Sequence, residues 1–145
     1  MRTLLILIGV LAIVSVAPAA SAGPGASSGT VTVHASSYGR ILFDGRGFAL
    51  YTFSRDPRGR SSCSGACAKV WPPFVVKRAP SAGRGARASL LGSVRRTDGT
   101  TQATYAGRPL YFYVGDRKPG QILCQNVSEF GGRWLVVRAN GVAVR

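Results

Sequence analysis

The sequence predicts an all-β fold with little α content: a single compact domain of two β-hairpin repeats, with one short helix after the first. Three observations carry that prediction. The segment LYTFSRD at residues 50–56 returns as LYFYVGD at residues 110–116, aligning Leu50, Tyr51, Phe53 and Asp56 with Leu110, Tyr111, Tyr113 and Asp116. Gly39 and Gly47 meet Gly99 and Gly107 at the same offset. From Tyr38 onward, short runs of β-branched and aromatic residues alternate with Gly, Pro, Asp and Asn clusters, the pattern of strands joined by tight turns.

Taken in order, the chain opens with Arg2, a thirteen-residue apolar run at 4–16 and the small triplet Ala20, Ser21, Ala22. That is the pattern of a secretory signal peptide cleaved after about Ala22, and the run is short of the roughly 20 residues a membrane span needs. The first cysteine is Cys63, so no thiol is placed for a lipid anchor at the new N-terminus. The expected product is secreted or periplasmic, without a transmembrane or lipid anchor. Residues 23–37 are small and polar and read as a flexible leader, with Val31, Thr32 and Val33 as an optional first strand. The domain then runs over 38–145, with repeat one at about 38–77, repeat two at about 94–137 and an exposed loop at 78–93 between them.

Within repeat one, residues 41–43 and 48–53 read as strands around the turn Asp44, Gly45, Arg46, Gly47. Asp56, Pro57, Arg58 and Gly59 carry type I turn preferences. Residues 62–70 (SCSGACAKV) read as one or two turns of helix stopped by Trp71, Pro72 and Pro73. Repeat two predicts strands at 101–105 and 109–113 around Ala106 and Gly107, and a turn at 116–120. A last hairpin is expected from 134–137 and 142–144 around Ala139, Asn140 and Gly141. Side chains alternate along a strand, so Tyr51 and Phe53 share one face, as do Tyr111 and Tyr113. Two such aromatic faces close a core that neither hairpin buries alone. Asp56 and Asp116 follow their strands, where a carboxylate accepts turn N–H groups or a tyrosine hydroxyl.

These residues resemble the secreted repeat family described as lipoproteins with a Tyr-x-(Phe/Trp/Tyr)-x-x-Asp motif. The resemblance rests on YTFSRD at 51–56, YFYVGD at 111–116, SCSGACAKVWPP at 62–73, GTTQATYAGRPL at 99–110 and FGGRWLVV at 130–137. It spans about Tyr38 to Val137. It implies a bacterial envelope or secreted protein of unknown biochemical role, with no agreed active site. This chain departs from the family label by lacking a lipobox cysteine. From residues alone, Cys63, Cys67 and Cys124 allow three single-bridge pairings with one thiol left over; the resemblance carries Cys63 and Cys67 together, which implies that disulfide and leaves Cys124 as a free thiol.

The candidate chemistry is sparse. The only acids are Asp44, Asp56, Asp98, Asp116 and Glu129, and three of them lie in turns. A glycosidase needs two carboxylates across a cleft, for which Asp56 with Asp116 is the one conceivable pair. His34, the sole histidine, lies in the expected leader, away from a catalytic partner. GASSG at 25–29 matches G-x-S-x-G without the strand–turn–helix setting of a nucleophile elbow. The cysteines and His34 do not make a closed zinc set, and a Tyr/Asp oxygen site for a hard cation is a lesser alternative. Cys63-x-x-x-Cys67 is not the thioredoxin-like C-x-x-C, although Arg60 and Lys69 flank it. No metal or cofactor is expected. Trp71 reads as the hinge that docks the helix, with a ligand platform as its alternative, and Trp134 as core.

Charge is the remaining functional signal. The net charge is +14, or +13 without Arg2, and no acid lies between Asp56 and Asp98, while Arg58, Arg60, Lys69, Lys77, Arg78, Arg84, Arg87, Arg95 and Arg96 do. Such a stretch attracts anionic envelope polymers or lipid headgroups; coding bias toward arginine is the competing explanation. The arginines of 77–96 are not interleaved with aromatics, which argues against nucleic acid. The sequence therefore points to a non-enzymatic, envelope-associated binding or structural module with a basic surface. The alternative is a small extracytoplasmic redox or metal-handling protein using the cysteines.

Overall fold

The computed structural model describes residues 28–145; the expected signal peptide and the leader up to residue 27 lie outside the described residues. In chain order come β1 (Thr30–Ser36), β2 (Gly39–Asp44), β3 (Tyr51–Phe53), α1 (Ala66–Val70), β4 (Ser81–Ala82), a 3-10 turn (Ala88–Leu90), β5 (Leu91–Arg95), β6 (Thr101–Tyr105), β7 (Arg108–Pro109), β8 (Val127–Glu129) and β9 (Gly132–Val136). They form three three-stranded sheets, ordered β2-β1-β4, β3-β9-β8 and β5-β6-β7. The all-β class with one short helix is thus observed.

The leader reading fails from Thr30 onward. In TVTVHAS the valines Val31 and Val33 are buried while His34 faces out, and β1 pairs antiparallel with β2 from Val31–Asp44 to Ser36–Gly39. His34 is not a leader residue: its ring lies edge-on to Phe43 and its Nε2 is 3.0 Å from Thr32 Oγ1. The loop reading of 78–93 also fails in part. Ser81 and Ala82 pair parallel with β1, because Gly83 lets the chain come in: its N–H donates to Val31 O at 2.7 Å, and a Cβ there would meet Thr32 Cγ2 at 2.7 Å. Residues 91–93 belong to β5, paired with β6.

The helix is shorter than 62–70. Ser62 is no helix cap, since its N–H and hydroxyl both donate to Asp56 Oδ1 at 2.7 Å. The turn begins instead at Gly65, at φ 55. It ends where expected, with Trp71 N–H on Cys67 O ahead of Pro72, which has no amide hydrogen to continue it. The β8–β9 hairpin was not predicted: it turns on Phe130 and Gly131, both at positive φ, and Phe is a rare residue in that region. The last expected hairpin is present, with Arg138 N–H on Val142 O and Val144 N–H on Val136 O.

The sheets are stitched by bonds that repeat between the two halves. Leu42 N–H donates to Val137 O at 2.8 Å, and its counterpart Ala103 N–H to Phe74 O at 2.9 Å. Leu50 N–H donates to Leu42 O, as Leu110 N–H does to Ala103 O. At the centre, Tyr51 and Tyr111 exchange both backbone bonds, each 2.9 Å. The motif strands thus meet antiparallel on a pseudo-two-fold axis. Opposite faces of these strands feed two cores. Tyr51 and Tyr111 join Trp71, Trp134, Ile41 and Cys63 in one; Leu50 and Leu110 join Val31, Leu42, Phe74 and Tyr105 in the other.

Candidate functional site

The repeated motif builds one crossed constellation. Each strand places its tyrosine inward and its aspartate in the turn beyond, where Asp56 N–H donates to Phe53 O and Asp116 N–H to Tyr113 O, both at 3.1 Å. Because the strands run antiparallel through the axis, each tyrosine reaches the aspartate of the other repeat. Tyr51 hydroxyl donates to Asp116 Oδ2 at 2.6 Å, and Tyr111 hydroxyl to Asp56 Oδ2 at 2.5 Å. The second carboxylate oxygens also match: Asp56 Oδ1 accepts from Ser62 N–H at 2.7 Å and Asp116 Oδ1 from Leu123 N–H at 2.9 Å.

Packed against the two tyrosines is an aromatic stack with the same symmetry. Trp71 and Trp134 are parallel, ring centres 4.1 Å apart. Phe53 stacks on Trp134 at 4.2 Å, and Tyr113 lies tilted on Trp71 at 4.8 Å. Tyr51 meets Trp71 edge-on and Tyr111 meets Trp134 edge-on, at 5.2 and 5.1 Å. Both indoles end on Glu129: Trp71 Nε1 donates to its Oε2 at 2.8 Å, Trp134 Nε1 to its backbone oxygen at 3.3 Å. Trp71 is fully buried, so it offers no face to a ligand. Pro72 and Pro73 do line a cleft, of about 540 Å³, with Val75, Lys77, Arg46 and Phe112.

Electrostatics follow from burial. Removal from water, then the adjacent carboxylate, pushes the Tyr51 hydroxyl well above its ordinary value; Tyr111 is raised by burial and then by Asp56. Burial also raises Asp116, partly offset by the bonds from Tyr51 and Leu123. Tyr113 is pushed up to about 12, first by its hydrogen bond with the Cys124 sulfur. Asp98 is lowered by the Thr100 hydroxyl and N–H.

Three polar partners escaped the sequence reading. Arg96, counted there among surface cations, is buried. Its Nη1 donates to Ser61 Oγ at 2.6 Å and Gln102 Oε1 at 2.8 Å, and its Nη2 to Cys63 O at 2.7 Å. Ser61 Oγ is in turn 2.7 Å from Tyr111 hydroxyl, and Gln102 Nε2 donates to Leu110 O at 2.7 Å. Nothing local marks Arg96 among its arginine neighbours; only the fold places it.

Both oxygens of Asp56 and of Asp116 accept internal hydrogen bonds. Each is occupied by the other repeat's tyrosine and a turn N–H. Among the described residues no three His, Cys, Asp or Glu side chains gather as a metal set, and no helix is long and apolar enough to cross a membrane.

Cys63 and Cys67 are disulfide-bonded and both buried. Cys124 is a half-buried free thiol. Ser62 and Leu123 make equivalent bonds to the two aspartates, so Cys63 and Cys124 hold equivalent places in the two repeats. Repeat two has Ser128 where Cys67 would stand four residues on, which is why its cysteine has no mate.

No match is found among the curated proteins or the solved structures. A family described as a secreted repeat of unknown function matches twice, over residues 32–75 and 92–138. Those spans contain both halves of the crossed constellation, and the first begins inside β1, as the fold requires. The chain belongs to this family of secreted repeats.

Proposed function

We propose that the protein is a non-enzymatic, envelope-associated module whose basic surface engages anionic envelope polymers or lipid headgroups, and whose Tyr–Asp motifs serve to hold the two repeats together. One observation carries this reading: the protein's own carboxylates are spent internally. Asp44 accepts from Arg46 and Phe48, Asp56 from Tyr111 and Ser62, Asp98 from Thr100 and Arg96, Asp116 from Tyr51 and Leu123, and Glu129 from Trp71. Among the described residues the ion pairs are Arg46–Asp44 and Arg96–Asp98. The excess of 19 basic over 5 acidic residues is therefore not compensated within the chain, and an outer field of this sign concentrates anionic partners.

The redox alternative draws less support. Both bridged cysteines are buried, whereas exchange requires an accessible sulfur.

The test is retention on a polyanionic matrix, with polyphosphate as the probe and a neutral polysaccharide as control. Binding weakens at least about tenfold between 0.05 and 0.5 M salt, as screening shortens the reach of surface charges from roughly 14 to 4 Å. Absence of binding at low salt, or binding indifferent to salt, overturns the reading.

A further inference from the structure

The pseudo-two-fold axis makes the two halves each other's control, and one pair of equivalent clefts has diverged. Thr52 occupies in repeat one the place of Phe112 in repeat two. The strand partners correspond as well: Thr52 is paired with Leu135, and Phe112 N–H donates to Pro72 O, Leu135 and Pro72 each following the tryptophan of its own repeat. In the Phe112 cleft, the Arg46 guanidinium lies over the Phe48 and Phe112 rings at 5.1 and 5.7 Å and is paired with Asp44 at 2.8 Å. That cation has a stacking surface and a counter-ion.

The Thr52 cleft has no aromatic ring and no side-chain carboxylate in its lining. It encloses about 420 Å³ and is lined by Thr52, Ser54, Arg108, Arg138 and Arg145 over a floor that includes Leu135. No Asp or Glu lines it, and the ion pairs of the described residues involve none of these arginines. A second, independent observation converges on it. Two buried side-chain polar atoms have no hydrogen-bond partner among the described residues, Thr52 Oγ1 and Arg108 Nε, and both belong to residues lining this cleft. Thr52 is only 1% exposed. Buried donors without acceptors are rare in native proteins and call for an unseen partner. Here the orphaned groups are a guanidinium N–H, which only donates, and a hydroxyl, which can donate to an anion, in a cleft that two further arginines also line.

We infer that this cleft is a binding site for a phosphate ester. A tetrahedral oxyanion offers acceptors in several directions at once, and guanidinium forks match phosphate oxygens in pairs. The Thr52 and Ser54 hydroxyls supply neutral donors to the same group. A water takes about 30 Å³ of liquid, so the cleft admits a phosphate together with a short carbon chain, which Leu135, Val142 and Ala143 meet with apolar surface. A soluble glycerol phosphate unit and a phospholipid headgroup share this chemistry. The inference rests on the anion-binding reading above and deepens it, assigning part of that binding to one built pocket.

Calorimetric titration of the full-length secreted protein with sn-glycerol 3-phosphate, inorganic phosphate and acetate tests it. The expected result is saturable 1:1 binding of both phosphates, at least tenfold tighter than acetate. Arg108→Gln weakens it tenfold or more, while Lys77→Gln, in the other cleft, leaves it unchanged. Thr52→Val is the sharper variant. It removes a buried hydroxyl that has no partner, so the free protein keeps or gains thermal stability, yet the thermal shift induced by glycerol phosphate is lost. Vesicles of phosphatidylglycerol against soluble glycerol phosphate polymer separate the two sources, with competition by sn-glycerol 3-phosphate expected for whichever binds in the cleft. Non-saturable titration by both phosphates, or binding unaltered by both Arg108→Gln and Thr52→Val, overturns the site. Polyphosphate retention that persists in that event leaves the broader anion-binding reading standing; loss of retention with an intact phosphate site removes only that reading.

Discussion

Tyr51→Phe removes the crossed hydrogen bond, and with it the acceptor of the Cys124 backbone N–H, while keeping the ring. Its hydroxyl is one of two donors to Asp116, the other being Leu123 N–H, and Asp116 is only 7% exposed. Removing a donor from a buried carboxylate costs about 1.5–3 kcal/mol at neutral pH. At roughly 4 °C per kcal/mol for a domain of this size, the melting temperature falls by about 6–12 °C. The symmetry mate sets the internal scale. Tyr111→Phe acts on Asp56, which is less buried and keeps both Ser62 bonds, but it also takes the hydroxyl from Ser61, so its cost is of the same order, about 1–2 kcal/mol. A second axis is pH. Burial raises Asp116 above its ordinary value, so acidification neutralises it early and turns the Tyr51 bond into a neutral one. The Tyr51→Phe penalty then shrinks to about 1 kcal/mol near pH 3. Urea unfolding of the three proteins at pH 7 and pH 3, followed by tryptophan fluorescence, measures all of this. A Tyr51→Phe cost below about 0.5 kcal/mol at pH 7, or one that does not shrink on acidification, refutes the account of the motif.

Other expectations follow from the same geometry. Tyr51 and Tyr111 are both raised above the ordinary 10.0, so their stabilisation is intact below pH 10 and drains away above it, by about 1.4 kcal/mol per pH unit for each tyrosine; ultraviolet phenolate titration alongside circular dichroism checks that these two ionise only on unfolding. Trp71→Ala, at the centre of the stack, costs about 3–5 kcal/mol, measured by urea unfolding. Arg96→Lys keeps the charge but cannot serve Ser61, Gln102 and Cys63 O together, and costs about 2 kcal/mol in the same assay, with no loss of polyphosphate retention. Reducing Cys63–Cys67, which closes a loop of only four residues' separation, costs about 2 kcal/mol and leaves retention unchanged.

Much of this was legible in the chain. The offset of 60 between Tyr51 and Tyr111 gave away the duplication, strand alternation put their rings inward, and a carboxylate after each strand had few roles other than accepting a tyrosine or a turn. The crossing was not legible, because nothing in one repeat shows that its strand runs antiparallel to its twin. Trp71 and Trp134 hid their equivalence behind a spacing of 63 rather than 60 and behind Pro72 and Pro73. The strand at Ser81 and Ala82 carries no alternating pattern, since a parallel edge allowed by Gly83 needs backbone contact, not apolar side chains. Arg96 looked like any other arginine: its burial depends on Ser61 and Cys63, which come from a distant segment, as well as on Gln102 across its own hairpin. The Thr52 cleft was invisible for the converse reason. A threonine in a strand is ordinary until its hydroxyl is found without a partner.

The exchange of tyrosines across the axis has a consequence for cutting the chain. An isolated half would hold a tyrosine without its carboxylate, a carboxylate without its tyrosine, and one tryptophan of the stacked pair. Such a half is self-complementary in the motif: rotated by 180°, a second copy supplies the missing tyrosine, aspartate and tryptophan, which is the geometry of an isologous dimer. The present chain has the arrangement of such a dimer, with the two repeats on one polypeptide. With both copies of each position on one chain the two need not be identical, so one cleft holds an arginine paired with Asp44 while its twin is lined by arginines with no Asp or Glu. Cleavage within 83–87 should accordingly yield not two small domains but two fragments that recover their fold only in each other's company.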